Sequence, residues 1–225
     1  MAHAVRGGTC IRMRHPAGYH LPMSDPHPTP TGGSPASPTP ADRAPATLSL
    51  RPARAAEAAA LSALVNSAYR GDSSKAGWTT EADLLGGQRT DPEGLAQLLG
   101  GSPANGQVVL VHTDEAGLAC CVHLERLPDA KAYLGMLTVR PVAQAGGLGR
   151  ALLAAAEAWA AREWQTREMQ MTVIAQRPEL IAWYERRGYV ATGETRPFPY
   201  DDEKFGLPRR ADLYFRVFAK ALPAH

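Results

Sequence analysis

The chain has 225 residues, a formal net charge of +2 and 44% hydrophobic residues, an ordinary balance for a globular protein with a sizeable core. Residues 1–45 hold four arginines against Asp25 and Asp42, so the remainder carries equal numbers of acids and bases and offers no electrostatic footprint for nucleic acid. Three cysteines without a C-x-x-C, and no apolar stretch near 18 residues, argue against a disulfide framework, a zinc site or a membrane span, and lead us to expect a cytoplasmic protein.

The first 45 residues differ from the rest. They contain nine of the nineteen prolines and four of the seven histidines, with Ser, Thr and Gly between them. Such a segment buries too little apolar surface to offset its chain entropy, and we expect a disordered tail. His3, His15, His20 and His27 lack the spacing of metal ligands, so no metal is expected there.

From residue 46 onward the pattern is that of one folded domain, 46–225. Ala46–Arg51 alternates as a first strand ending at Pro52. Ala53–Tyr69 has the periodicity of a helix, with Leu61, Leu64, Val65 and Ala68 on one side. Arg70–Lys75 reads as a polar loop. Thr80 ahead of Glu81-Ala-Asp-Leu-Leu85 reads as a helix N-cap, and Asp91-Pro92-Glu93 repeats that signal for a helix through Leu99. Gln107–His112 and Leu118–Leu127 form a hairpin in which Cys120 and Cys121 face opposite sides of the sheet. Lys131–Val139 is the next strand. Gly147 to about Arg162 is helical, with Leu148, Ala151, Leu152, Ala155 and Trp159 on the apolar face. Met169–Val173 is a strand, Pro178–Gly188 a helix, Tyr189–Thr192 the start of a strand, and Asp212–Phe218 the last strand. This is an α/β chain with a mixed central sheet of about seven strands flanked by helices.

The most informative segment is Thr138-Val-Arg-Pro-Val-Ala-Gln144-Ala-Gly-Gly147-Leu-Gly149-Arg-Ala-Leu-Leu153. A glycine-rich turn between strand and helix aims several backbone N–H groups and the positive helix end at one place, a site for a phosphate or pyrophosphate. A P-loop needs G-x-x-x-x-G-K-[ST], but Arg150-Ala151 follows Gly149. A dinucleotide fingerprint needs a third glycine where Leu152 stands, and an acid after the next strand, which ends in Val173-Ile174-Ala175. What remains is Gln144-x-x-Gly147-x-Gly149.

That pattern resembles the acyl-CoA loop, [RQ]-x-x-G-x-[GA], of the GNAT family of N-acetyltransferases. Trp183-Tyr184-Glu-Arg-Arg-Gly188-Tyr189 resembles the same family's [FY]-Y-[ED]-x-x-G-[FY] motif, and the element order over roughly residues 46–220 matches. The resemblance implies the GNAT acyl-CoA N-acyltransferase fold and direct acyl transfer from acetyl-CoA, a co-substrate, to an amine. By the same resemblance, Leu137, Thr138 and Val139 would pair with the pantetheine arm. The backbone of Gln144, Ala145, Gly146, Gly147, Leu148, Gly149 and Arg150 would hold the pyrophosphate. Tyr184 matches the general acid that protonates the departing thiolate; a phenol with a pKa of about 10 suits that task. The incoming amine's base is left open among Glu125, Glu81, Asp201 and water, and His123 is read as structural. Arg177 departs from the family pattern, which places an asparagine seven residues before the tyrosine.

Substrate selection is expected from Tyr69–Leu85, with Trp78 and Glu81, and from Phe198–Gly206, with Tyr200 and Asp201. An aromatic and acidic lining there would suit a small cationic amine, bound by a monomer or homodimer without nucleic acid or membrane. Two other readings stay open: a non-catalytic acyl-CoA-binding module, and a protein that uses the loop for ATP or NAD.

Overall fold

In a computed structural model, residues 48–223 are described apart from Ala76, Trp78, Thr79, Gly101, Ser102, Glu203 and Lys204. The expected tail, its four histidines, Cys10 and Trp78 lie outside the described residues. The elements are β1 (Arg51–Pro52), α1 (Ala58–Tyr69), α2 (Gly71–Ser74), β2 (Leu85–Gly86), α3 (Pro92–Leu99), β3 (Gln107–Asp114), β4 (Gly117–Leu127), β5 (Lys131–Val139), α4 (Leu148–Trp164), β6 (Glu168–Ile174), α5 (Pro178–Glu185), β7 (Val190–Pro197), β8 (Leu207–Pro208) and β9 (Tyr214–Ala221). Seven strands form one mixed sheet in the order β1-β3-β4-β5-β6-β9-β7, and β2 pairs with β8 separately.

Alternation along the strands builds a core on each face. Val109, Val111 and Cys121 pack with Leu61, Leu64 and Val65 of α1 and Leu95 of α3. Leu110, Cys120, Val122 and Leu124 pack with Leu152, Leu153 and Ala156 of α4. The adjacent cysteines therefore do face opposite ways, as period-two geometry requires, and burial pushes both thiols up to about 12.

Two departures from regular pairing open the sheet at its centre. In β4–β5 the partners run from Cys121↔Thr138 to His123↔Gly135, so Val122 opposes both Met136 and Leu137. This is a β-bulge, and Met136 within it adopts a left-handed φ of 51°. Farther on, β5 and β6 are parallel neighbours over only three residue pairs, Lys131↔Glu168 to Tyr133↔Gln170. Beyond Tyr133 the two strands have no ladder between them.

Several local expectations change. The first strand is only Arg51–Pro52, and Pro52 lies inside it, opposite Leu110. Proline is tolerated because β1 is an edge strand whose outer side needs no N–H. Residues Gly71–Ser74 form a short helix where a loop was expected. Thr80–Leu85 is not a helix: Thr80 Oγ1 accepts from the Ala82 N–H at 3.2 Å, but the segment turns and enters β2. Gly87, at φ 73°, follows immediately and leaves no length for a second helical turn. In α4 Leu152 and Trp159 of the expected face are buried, together with Leu153, Ala156 and Ala160 in place of Leu148, Ala151 and Ala155.

Candidate active site

The gap between β5 and β6 is a cleft of about 360 Å³. Its walls include Leu134 to Leu137 from β5, Met171 to Ile174 from β6, Tyr69 from α1, and Tyr184 and Leu180 from α5. Pro197 at the end of β7, and Pro199 and Phe205 from the connection that follows it, also line the cleft. The walls are mostly apolar, with a few polar groups converging, the composition of a small-molecule site.

Tyr184 is buried, packed edge-on between Trp183 and Tyr189. Burial first, then the neighbouring Tyr69, holds its phenol above the ordinary range, so it keeps its proton at neutral pH. Tyr184 lines the cleft, and its hydroxyl makes no hydrogen bond with any described residue. The rest of the motif explains how the ring is held. Gly188, at φ 87°, ends the helix, and the Tyr189 N–H returns to the Tyr184 carbonyl at 3.3 Å. The Tyr189 hydroxyl then donates to Glu157 of α4 at 2.9 Å, and Glu157 also accepts from Lys220 of β9 at 2.6 Å. One buried carboxylate thus ties α4, the end of α5 and β9 together.

The glycine turn lies at the other end of the opened strand. Pro141–Gly146 is a 3-10 turn, Gly147 takes φ 77°, and α4 starts at Leu148. No side chain caps α4. The Arg150 and Ala151 N–H groups donate to the Gly147 carbonyl at 3.1 Å, so the N–H groups ahead of them are the ones a ligand at the turn would meet. Arg150 belongs to the first turn of α4. It and Arg186 act on Arg187, whose pKa is lowered by burial first and then by these two cations. Arg187 also lies 3.5 Å over the Trp183 ring. Gln144 is buried and donates from Nε2 to the Val139 carbonyl at 3.0 Å, bracing the turn against β5. Of the β5 residues expected at the pantetheine arm, Leu137 lines the cleft, while Thr138 and Val139 are buried.

The departure at Arg177 is resolved by its partners. Arg177 is buried, 3.8 Å from Glu81, and its Nε donates to Glu179 at 3.1 Å. Glu81 is held at 2.5 Å by Arg70, which is itself buried. Glu81 thus reaches the cleft, but between two guanidiniums. Tyr200 and Asp201 do not line the cleft: the Tyr200 hydroxyl accepts from the Leu213 N–H at 2.6 Å, and Asp201 is exposed in a turn. Glu125 and His123 stand on β4 outside the lining, and burial lowers the His123 pKa. Tyr69, at the edge of the expected Tyr69–Leu85 segment, lines the cleft, and so do Arg89 and Arg196, which lie outside the expected segments and are marked by no local motif.

A family model described as an acetyltransferase (GNAT) domain matches residues 88–198, which span the bulge, the glycine turn and the tyrosine motif. The chain belongs to the GNAT family. Solved GNAT structures share its fold. Ribosomal-protein-alanine N-acetyltransferase from Brucella melitensis is 24% identical with a TM-score of 0.58, over 78% of this chain and 100% of that one. The yncA protein of Salmonella typhimurium, solved with its cofactor acetyl-CoA, is 19% identical with a TM-score of 0.57, over 80% and 96%. A spermidine N-acetyltransferase chimera from Vibrio cholerae and hSSAT is 15% identical with a TM-score of 0.57, over 78% and 96%. No curated protein sequence matches the chain. Among the described residues, no helix is long and apolar enough to cross a membrane, and no group of three or more potential ligands could hold a metal ion.

Proposed function

We propose that this GNAT domain transfers an acetyl group from acetyl-CoA directly to the amine of a small molecule. One observation carries the reading: Tyr184, whose hydroxyl has no hydrogen-bond partner among the described residues, lines the gap where β5 has no strand partner, and α4 starts beyond β5 without a side-chain cap. Acetyl-CoA fits the groups present. The free edge of β5 suits the amide-bearing arm, the turn at Gly147 with the first N–H groups of α4 suits the pyrophosphate, and Arg150, Arg186 and Arg187 supply positive charge for the phosphates.

Transfer needs the amine nitrogen to form a bond to the thioester carbon while the carbon–sulfur bond breaks. The electron pair leaves on sulfur, and the nitrogen loses one proton. Backbone N–H groups along β5 would stabilise the charge that gathers on the carbonyl oxygen. The rest is largely the placement of two substrates in one cleft. Tyr184 Oη would give its proton to the sulfur. Burial that raises the phenol pKa would also raise that of a thiol departing within the same cleft. Glu81 is engaged by Arg70 and Arg177, so we assign removal of the amine proton to water rather than to Glu81.

The test is thiol release from acetyl-CoA over a panel of amines, repeated with Tyr184→Phe. We expect turnover with at least one amine and a loss of about 10²-fold or more in kcat for the variant. Unchanged turnover in the variant would remove Tyr184 from this role. Acetyl-CoA binding without turnover of any amine would favour a non-catalytic acyl-CoA-binding module.

A further inference from the structure

Among the described residues, the cleft has a charge pattern opposite to the acidic lining expected from the sequence. Among the described lining residues there are three guanidiniums, Arg89, Arg177 and Arg196, and a single carboxylate, Glu81. That carboxylate is already matched at 2.5 Å by Arg70, which sits behind it and is 5% exposed. Among the described residues, Glu81 thus stands between the buried guanidiniums of Arg70 and Arg177. The outward partners of the other two pairs do little to cancel the positive charge. Glu179 beside Arg177 and Glu194 beside Arg196 are each more than half exposed, where water and salt screen them. Arg89 makes no ion pair with any described residue, and its guanidinium lies 5.8 Å over the ring of Tyr69 at the cleft wall.

A polyamine brought into such a site meets three guanidiniums in its lining. An acceptor with its own negative charge meets complementary ones, and a guanidinium binds a carboxylate in paired, charge-assisted hydrogen bonds. The remaining walls, Leu180, Phe205, Phe215 and Pro199, are apolar. Resting on the transferase reading above, we infer that the acceptor is an amine carrying a carboxylate on a small apolar body, that is, a free amino acid or a close analogue. Arg89 is the residue that meets the carboxylate, with Arg177 and Arg196 setting the positive field. The amino group, delivered toward the β5–β6 gap, is the acetylated atom.

The experiment compares L-methionine and L-phenylalanine with their decarboxylated amines, their primary amides, and spermidine. Acetyl-CoA-dependent thiol release is measured for each with wild type, Arg89→Gln and Arg89→Lys. The expected result is a preference of about tenfold or more in kcat/KM for the amino acids over the amines and amides. Arg89→Gln should collapse that ratio mainly through KM, and Arg89→Lys should recover part of it. Faster turnover of spermidine or of the decarboxylated amines, or a ratio unmoved by Arg89→Gln, overturns the inference. Calorimetric titration of each amine into the protein reads the same site without turnover. Amino acids that bind more tightly than their amides, and lose this in Arg89→Gln, support the carboxylate site even if the transferase reading fails. Equal binding of acid and amide refutes it.

Discussion

The hydroxyl of Tyr69, at the end of α1, donates to the carbonyl of Leu137 on β5 at 2.7 Å. Leu137 directly follows the left-handed Met136, so this bond pins the bulge to a helix on one side of the sheet. Burial, then the Glu81 carboxylate, pushes the Tyr69 phenol up to about 12, so the bond is intact across the physiological range. Tyr69→Phe should cost about 1–3 kcal/mol by leaving a buried carbonyl unmatched. Urea denaturation measures the cost. A parallel rise in the acetyl-CoA KM should follow from loosening the β5 edge, and a variant as stable as wild type would contradict the pinning role.

Gly147 needs glycine for its backbone angle rather than for space. Its φ is 77°, yet a β-carbon there would meet nothing within 4 Å. Gly147→Ala should lose roughly 1–2 kcal/mol of stability through the left-handed angle and weaken acetyl-CoA binding by distorting the turn. Gly146 is equally open and does not have a positive φ. Gly146→Ala is therefore the control, and comparable losses in both variants would mean the angle is not what matters.

Glu81→Gln removes the carboxylate between Arg70 and Arg177 and leaves two buried cations facing each other. Stability should fall by about 3–5 kcal/mol, read from the thermal midpoint. If Glu81 is a positioning residue, the folded variant keeps the wild-type shape of its pH–rate profile. Loss of the acidic limb of that profile would instead make it the base.

The Glu57 carboxyl is pulled down to about 2, chiefly by its hydrogen bonds with Arg51, and further by the Arg54 N–H. A carboxylate with a lowered folded pKa stabilises the fold above its unfolded value of about 4.3 and loses that contribution as pH falls toward 2. Glu57→Gln should therefore lower stability at pH 7 and flatten the decline between pH 4.5 and 2. Denaturation midpoints across that window measure it; an unchanged acid slope would exclude the linkage.

The parts of the site legible in the sequence are those fixed by backbone geometry. Gln144-x-x-Gly147-x-Gly149 was readable because a strand-to-helix turn needs specific glycines. Tyr184 and Tyr189 were readable because they lie five residues apart around a helix-ending Gly188. Long amphipathic segments such as α1 and α4 were also plain, although the buried face of α4 is set by which residues β4 and β5 present to it. The acceptor side was not legible, and for a physical reason. Arg70, Arg89, Arg177 and Arg196 lie on four separate segments, and only the bulge and the missing β5–β6 ladder bring three of them to one cleft. The acidic run near Asp201 looked like a lining because charge in a loop says nothing about direction. Tyr200 is anchored to Leu213 and Asp201 is exposed, while Pro199 and Phe205 of the same loop line the cleft.

The sheet is continuous in strand order, but between β5 and β6 only the seam from Lys131↔Glu168 to Tyr133↔Gln170 joins it. On one side lie β1, β3, β4 and β5; on the other β6, β9 and β7. Under tension across the strands, the β3–β4 and β6–β9 ladders, with seven or more registered pairs each, would outlast that seam. The architecture that makes room for two substrates thus concentrates the protein's tensile weakness along one line, and a ligand bridging that line acts as a mechanical tie between the two halves.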